Sequence, residues 1–197
     1  IFEGLNEPRK KGTEWEWNGG DAEGQAVVNH FMKVFVETVR ATGGNNELRH
    51  LMICGYAASS SEMAMRAIEI PDDDKIIVSV HAYTPYDFAL NITGTSEWKY
   101  TFEIEQLMTK INMIFVNKGI PVIIGEFGAL NKNNEKDRAN WAKIYLMQST
   151  YNNIPCCWWD NSSFNGSGEN FGLIDRKKLT WPFPDLLRSL LDNAGVE

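Results

Sequence analysis

Residues 75–83 read KIIVSVHAY and residues 119–128 read GIPVIIGEFG. Each is a short run of β-branched and other apolar residues without polar alternation, closed by polar groups: His81 and Tyr83 in the first, Glu126 in the second. A strand that is apolar on both sides is covered on both faces of its sheet, which is the pattern of a parallel sheet flanked by helices. Pro121 stands at the start of its run, where no ladder hydrogen bond is yet required. The same join recurs at residues 153–160, NIPCCWWD, as a weak internal repeat. LRHLMICGY at residues 48–56 and IFEGL at residues 1–5 supply two further strands, five in all.

Helical periodicity fills the gaps. Asp21 caps a helix on which Val28, Phe31, Met32, Phe35 and Val39 recur at three and four, with Gly43 and Gly44 as stop signals. A second helix is expected around residues 61–68, and a long loop through Pro85 and Gly94 follows the third strand. Ile104, Leu107, Met108, Ile111 and Phe115 mark a helix over residues 97–117, closed by Gly119. Trp141, Ile144 and Tyr145 give another helix face, and residues 186–191 a last one. No linker or low-complexity segment divides the chain, so residues 1–197 read as one α/β domain of five β/α units.

Composition narrows the function classes. With 197 residues, 43% hydrophobic and 23% charged, the chain can bury a sizeable core. A net charge of -7 without a basic stripe argues against nucleic acid and anionic membrane surfaces as partners. No run approaches the roughly 20 apolar residues of a membrane span, and IFEGLNEP has none of the features of a signal peptide. Cys54, Cys156 and Cys157 lack C-x-x-C spacing and lie in apolar runs, so all three are expected to be buried thiols. His30 and His50 have no partner at ligand spacing, and no metal site and no cofactor is expected.

In a parallel α/β sheet, chemistry gathers at the carboxyl ends of the strands. Asn6 and Glu7, His81 and Tyr83, Glu126, and Trp158, Trp159, Asp160 and Asn161 all stand there. Carboxylates at the ends of apolar strands are partly desolvated and need a reason to be there. Glycosidic cleavage supplies one: it requires one carboxyl to protonate the leaving oxygen and another to attack the anomeric carbon. Trp15 and Trp17, in the Gly-rich polar stretch TEWEWNGGD at residues 13–21, are placed where a core could hardly collect them. Exposed indole faces suit sugar rings. Asp160 and Asn161 also have a second reading, as organisers of the turn after their strand. Trp98, Trp141 and Trp181 read as packing residues of helices.

NEP at Asn6–Pro8, H-x-Y at His81–Tyr83, GEFG at Gly125–Gly128 and WWDN at Trp158–Asn161 occur in that order over the whole chain. Together they resemble glycoside hydrolase family 5, and the loop and WWDN details resemble its subfamily 4. The resemblance implies a (β/α)8 TIM barrel and a retaining, endo-acting β-1,4-glucanase, with Glu7 as acid/base and Glu126 as nucleophile. It further implies that Asn6 binds the sugar 2-hydroxyl, that His81 binds substrate or holds Glu7, and that Tyr83 donates to Glu126. Trp159 is preferred to Trp158 as the platform under the reacting sugar, with Trp17 and Asn161 as further substrate contacts. The carboxyl groups of Glu7 and Glu126 are then expected about 5 to 5.5 Å apart. The substrate expected is a β-glucan polysaccharide or oligosaccharide, met outside the cell; xyloglucan, mixed-linkage glucan, mannan and xylan are the alternatives.

A complete barrel of this kind has eight β/α units and about 250 residues or more. This chain resembles strands 4 to 8, a partial catalytic domain, and its first strand is an open edge. Three explanations stay open: a partial sequence, a fragment completed by another chain that supplies the missing strands, or a half-barrel that dimerises. A non-catalytic sugar-binding remnant is the reading from another class.

Overall fold

The computed structural model describes residues 1–100 and 102–195. Thr101, inside the span predicted for the 97–117 helix, lies outside the described residues. The elements run β1 (Phe2–Glu3), α1 (Ala22–Ala41), β2 (Leu51–Ser59), α2 (Glu62–Arg66), β3 (Ile76–His81), α3 (Tyr86–Ala89), α4 (Glu103–Ile114), β4 (Val122–Phe127), α5 (Glu135–Tyr151), β5 (Cys156–Trp158) and α6 (Pro184–Asn193). Strand order follows the chain, β1-β2-β3-β4-β5, and the pairings of β1 with β2, β2 with β3 and β4 with β5 are parallel. The chain divides into two compact units, Ile1–His81 with Lys110–Ile123, and Ala82–Thr109 with Ile124–Glu197.

In the first unit, Asp21 caps α1 by accepting the Gly24 amide at 2.7 Å. The buried stripe of that helix is Gly24, Val28, Met32 and Val36, so Val28 and Met32 are buried as expected, while Phe35 and Val39 flank the stripe half-buried. Phe31 is left exposed, because strict i, i+4 spacing from Gly24 lets the helix approach β2 closely. That helix packs on β2, and Leu51, Ile53 and Cys54 of β2 and Ile76, Val78 and Val80 of β3 are buried. The predicted 97–117 helix is shorter, yet Ile104, Leu107, Met108, Ile111 and Phe115 are all buried as expected. Gly119 takes a left-handed φ of 78° at its end.

Arg40, in the last turn of α1, grips Asp73 before β3 through Nε at 2.6 Å and Nη2 at 2.9 Å, and donates through Nη1 to the Asn46 carbonyl. The guanidinium holds the Asp73 carboxyl below its ordinary value, against the opposing effect of partial burial. A depressed carboxylate contributes stability above the unfolded-state value of about 3.9 and loses it as pH falls through the folded one. Asp73→Asn should therefore cost about 1–2 kcal/mol near neutrality. Urea midpoints of the two proteins should converge as the pH drops below about 4, where the wild-type carboxyl protonates as well.

The second unit is built on stacked aromatics. Phe127 lies 4.8 Å from Tyr145 and 5.9 Å from Trp141 between ring centroids, and Trp158 meets Phe127 edge-on at 5.5 Å. The polar atoms of these rings are satisfied: Trp141 Nε1 donates to Thr84 O at 2.9 Å and Tyr145 Oη to Ala82 O at 2.8 Å. Arg138 is fully buried. Its Nε donates to Ala129 O at 3.0 Å, and its guanidinium lies 4.7 Å from the Phe183 ring. Desolvation brings its pKa down to about 10. α5 packs along α6. The long loop after β3 contains the short helix α3, which the run through Pro85 concealed.

Packing expectations at Cys157 and Trp181 need correction. Cys54 is buried and Cys156 half-buried, but Cys157 is exposed, because alternation along β5 turns it to the opposite face from Cys156. Trp181 is half-exposed rather than packed, since it sits in the loop before α6 and not on the helix. Trp98 and Trp141 do pack, both against Phe88.

Candidate active site

Glu7 belongs to the first unit and stands beyond β1, which is only two residues long. The segment leading to it still runs beside β2: Gly4 N donates to Met52 O at 3.1 Å, Cys54 Sγ to Leu5 O at 3.3 Å, and Ala57 N to Pro8 O at 2.9 Å. Ala57 and Ala58 take left-handed φ values of 52° and 46° where the register of β2 and β3 shifts. Both alanines are buried, so the surrounding packing holds this strained turn beside the NEP segment. Burial and the nearby Glu3 and Glu7 charges push the Cys54 thiol up to about 12, so it stays protonated beneath that segment.

His81 ends β3, is buried, and its Nδ1 forms a 2.7 Å hydrogen bond with Glu7 Oε1. Arg9 Nη1 lies 3.9 Å from Glu7 Oε2 and donates to the Glu7 carbonyl at 3.0 Å. The carboxyl is therefore held from two sides and stays partly exposed. Asn6 beside it is exposed. Trp15 and Trp17 are exposed too, Trp17 at 58%. Their loop is anchored by Gly20, whose φ is 82° and where a Cβ would lie 2.6 Å from the Tyr56 ring. Only glycine allows that approach. Tyr56 Oη in turn accepts the Lys10 amide at 2.8 Å.

Glu126 belongs to the second unit, near the end of β4. Its carbonyl accepts the Ala82 amide at 2.9 Å, and its Oε2 accepts the Tyr83 hydroxyl at 2.7 Å. Tyr83 is braced by Phe171, 5.3 Å away between ring centroids. Gly128 makes room for the same ring, since a Cβ there would lie 3.0 Å from it.

On β5 the two indoles separate by alternation. Trp158 faces Phe127 and Trp141, and its Nε1 donates to Phe171 O at 3.1 Å. Trp159 is 40% exposed, and its amide donates to Phe127 O at 2.9 Å. Asn161 has both ends of its amide engaged: Nδ2 donates to Glu169 O at 2.9 Å, and Oδ1 accepts the Ser163 and Phe171 amides at 3.0 and 3.2 Å. Asp160 likewise accepts the Ser162, Leu173 and Ile174 amides and pairs with Arg176 at 2.8 Å. Both residues organise the loop after β5. Arg9 and Phe171 were not anticipated. Phe171 lies in a loop without periodicity, and the only hint of Arg9 was its place next to NEP.

Each unit thus carries a carboxylate hydrogen-bonded to a ring, Glu7 with His81 in the first and Glu126 with Tyr83 in the second. Residues 1–165 match the family described as "Cellulase (glycosyl hydrolase family 5)", and the chain belongs to that family. It is 52% identical over 198 residues to endoglucanase B of Neocallimastix patriciarum, covering 99% of this chain and 42% of that protein. A solved broad-specificity endoglucanase of subfamily 4 from Ruminococcus champanellensis, with bound cellotriose, superposes with a TM-score of 0.92 at 49% identity, over 96% of this chain and 56% of the other. A xyloglucan-specific endo-β-1,4-glucanase from a metagenomic library, in complex with cellotriose, gives a TM-score of 0.94 at 38% identity, over 98% and 58%. The five β/α units are part of the (β/α)8 barrel of this family. The chain spans about half the length of the relatives it matches. No helix among the described residues is long and apolar enough to cross a membrane.

Proposed function

We propose that the protein is a retaining, endo-acting β-1,4-glucanase in which Glu7 is the acid/base and Glu126 the nucleophile. The observation that carries the roles is the difference between the two carboxyl partners. Glu126 accepts from Tyr83 at 2.7 Å, a neutral donor that stabilises a carboxylate ready to attack. Glu7 pairs at 2.7 Å with His81, a ring that can donate or accept and so tolerates a carboxyl that must change protonation state within one turnover.

In the first step the Glu7 carboxyl gives its proton to the glycosidic oxygen as the bond to the anomeric carbon breaks, and Glu126 forms an ester to that carbon. In the second, Glu7 as carboxylate takes a proton from water, which attacks the anomeric carbon and displaces Glu126. The configuration is inverted twice and so retained. Asn6, adjacent to the acid/base, binds the 2-hydroxyl of the reacting sugar, and the exposed face of Trp159 carries the ring. Trp17 extends the binding surface. Trp158 and Asn161 act at one remove, by fixing the loop that carries Trp159. The polymer substrate places the protein outside the cell.

The neighbours of known structure include a xyloglucan-specific enzyme, so the substrate panel should contain carboxymethyl cellulose, mixed-linkage glucan, xyloglucan, mannan and xylan. The full-length protein should release reducing ends from carboxymethyl cellulose with a rapid fall in viscosity, the signature of internal cleavage. Binding of cello-oligosaccharides without any release of reducing ends would instead establish the sugar-binding remnant.

A further inference from the structure

Arg9 makes more contacts than a surface arginine needs. Its Nη1 donates to the Glu7 carbonyl at 3.0 Å, its Nε donates to Glu16 Oε1 at 3.2 Å, and its Cζ lies 3.9 Å from the centroid of the Trp17 ring. Glu16 is fixed in turn, because its second oxygen accepts the Gly12 amide at 2.7 Å. That amide foremost, and Arg9 beside it, hold the Glu16 carboxyl below its ordinary value against the effect of partial burial. The planar guanidinium thus covers one face of an indole that is otherwise 58% exposed. Cation–π attraction and the Glu16 pair hold the ring in one orientation with its other face open to solvent.

We infer that Arg9 is a positioning residue that fixes Trp17 to the main chain of Glu7, making the open indole face the platform for the sugar that departs as leaving group. The inference rests on the assignment of Glu7 as acid/base. A general acid must stand beside the glycosidic oxygen it protonates, on the side of the departing sugar. An aromatic ring tied to that residue's own backbone keeps a constant distance from the oxygen, and so serves the sugar that leaves with it. Orienting the indole before substrate arrives removes an ordering cost that binding would otherwise carry.

The test compares two substrates on the full-length protein. Cellopentaose leaves as a sugar, whereas 2,4-dinitrophenyl cellobioside has no sugar on the leaving side. Arg9→Met should lower kcat/KM for cellopentaose by about 10-fold to 100-fold, chiefly through KM. Its loss on the aryl cellobioside should be smaller by about 10-fold. Trp17→Ala should show the same bias. The double variant should be no worse than the poorer single one, because both remove the same platform. Arg9→Lys retains the charge but not the flat fork, and should show the bias in lesser degree. Equal losses on both substrates would mean that Arg9 acts on the fold, and a loss on cellopentaose carried by kcat rather than KM would mean that it acts on the acid function of Glu7; either would overturn the inference, as would additive losses in the double variant. Glu7→Ala is the control for the underlying assignment: if it keeps wild-type activity on cellopentaose, the acid/base role falls and this inference with it.

Discussion

Glu126→Ala is expected to lose hydrolysis of β-1,4-glucans by about 10³-fold or more, and to lose it on activated and natural substrates alike. Without the carboxylate no ester to the anomeric carbon can form, so the quality of the leaving group cannot help. Tyr83 stays in place through its packing on Phe171, 5.3 Å away. The vacated space is on the face from which the nucleophile attacks. Azide added there should attack the anomeric carbon directly while Glu7 protonates the departing oxygen, giving the α-glycosyl azide, of inverted configuration. An NMR coupling constant of the product decides the matter. A β-glycosyl azide would transfer the nucleophile label away from Glu126.

The distance in sequence between partners explains what could be read without a structure. Local signals were legible. Asp21 before an apolar periodic run does cap α1 with a 2.7 Å bond to the Gly24 amide, and the apolar runs ending in His81 and Glu126 are strands. The apolar face of α1 was legible at Val28 and Met32, which are buried, but its edges were not, because Gly24 contributes closeness rather than hydrophobicity and a pattern weighted by large side chains included Phe31. Alternation on β5 could not be phased from Trp158 and Trp159 alone. The deciding facts are the Trp158 indole bond to Phe171 O and its edge-on contact with Phe127. Both partners lie in other elements.

The polar site shows the same division. NEP and GEFG marked the two carboxylates by resemblance, but the Arg9 bridge from Glu7 to Trp17 is a matter of side-chain direction. No spacing rule encodes it. Asn161 illustrates a residue that the sequence left with two readings. Its place after Trp-Trp-Asp suggested a ligand contact, whereas its amide closes the loop through Glu169, Ser163 and Phe171. An Asn or Asp after a strand has the short polar side chain that turn closure needs, and here that use engages both ends of the group.

Glu7→Ala should separate the two chemical steps. Removing the acid leaves Glu126 able to attack, so a substrate whose leaving group needs no proton, such as 2,4-dinitrophenyl cellobioside, should still form the ester and release dinitrophenolate in a burst. Turnover should then stall by about 10²-fold to 10⁴-fold, because no base remains to activate water. Natural glucans, whose leaving oxygen does need the proton, should be hydrolysed far more slowly than the activated substrate. Azide requires no general base and fits the space that the carboxyl vacates beside His81, whose Nδ1 stood 2.7 Å from it. It should attack the ester from the acid/base side, expelling the Glu126 carboxylate, and yield the β-glycosyl azide with retained configuration. The two variants therefore give opposite anomers from the same reagent, and an exchange of the two products would exchange the two roles. If neither substitution slowed the hydrolysis of carboxymethyl cellulose, both carboxylates would be bystanders and the site would have to be sought elsewhere in the chain.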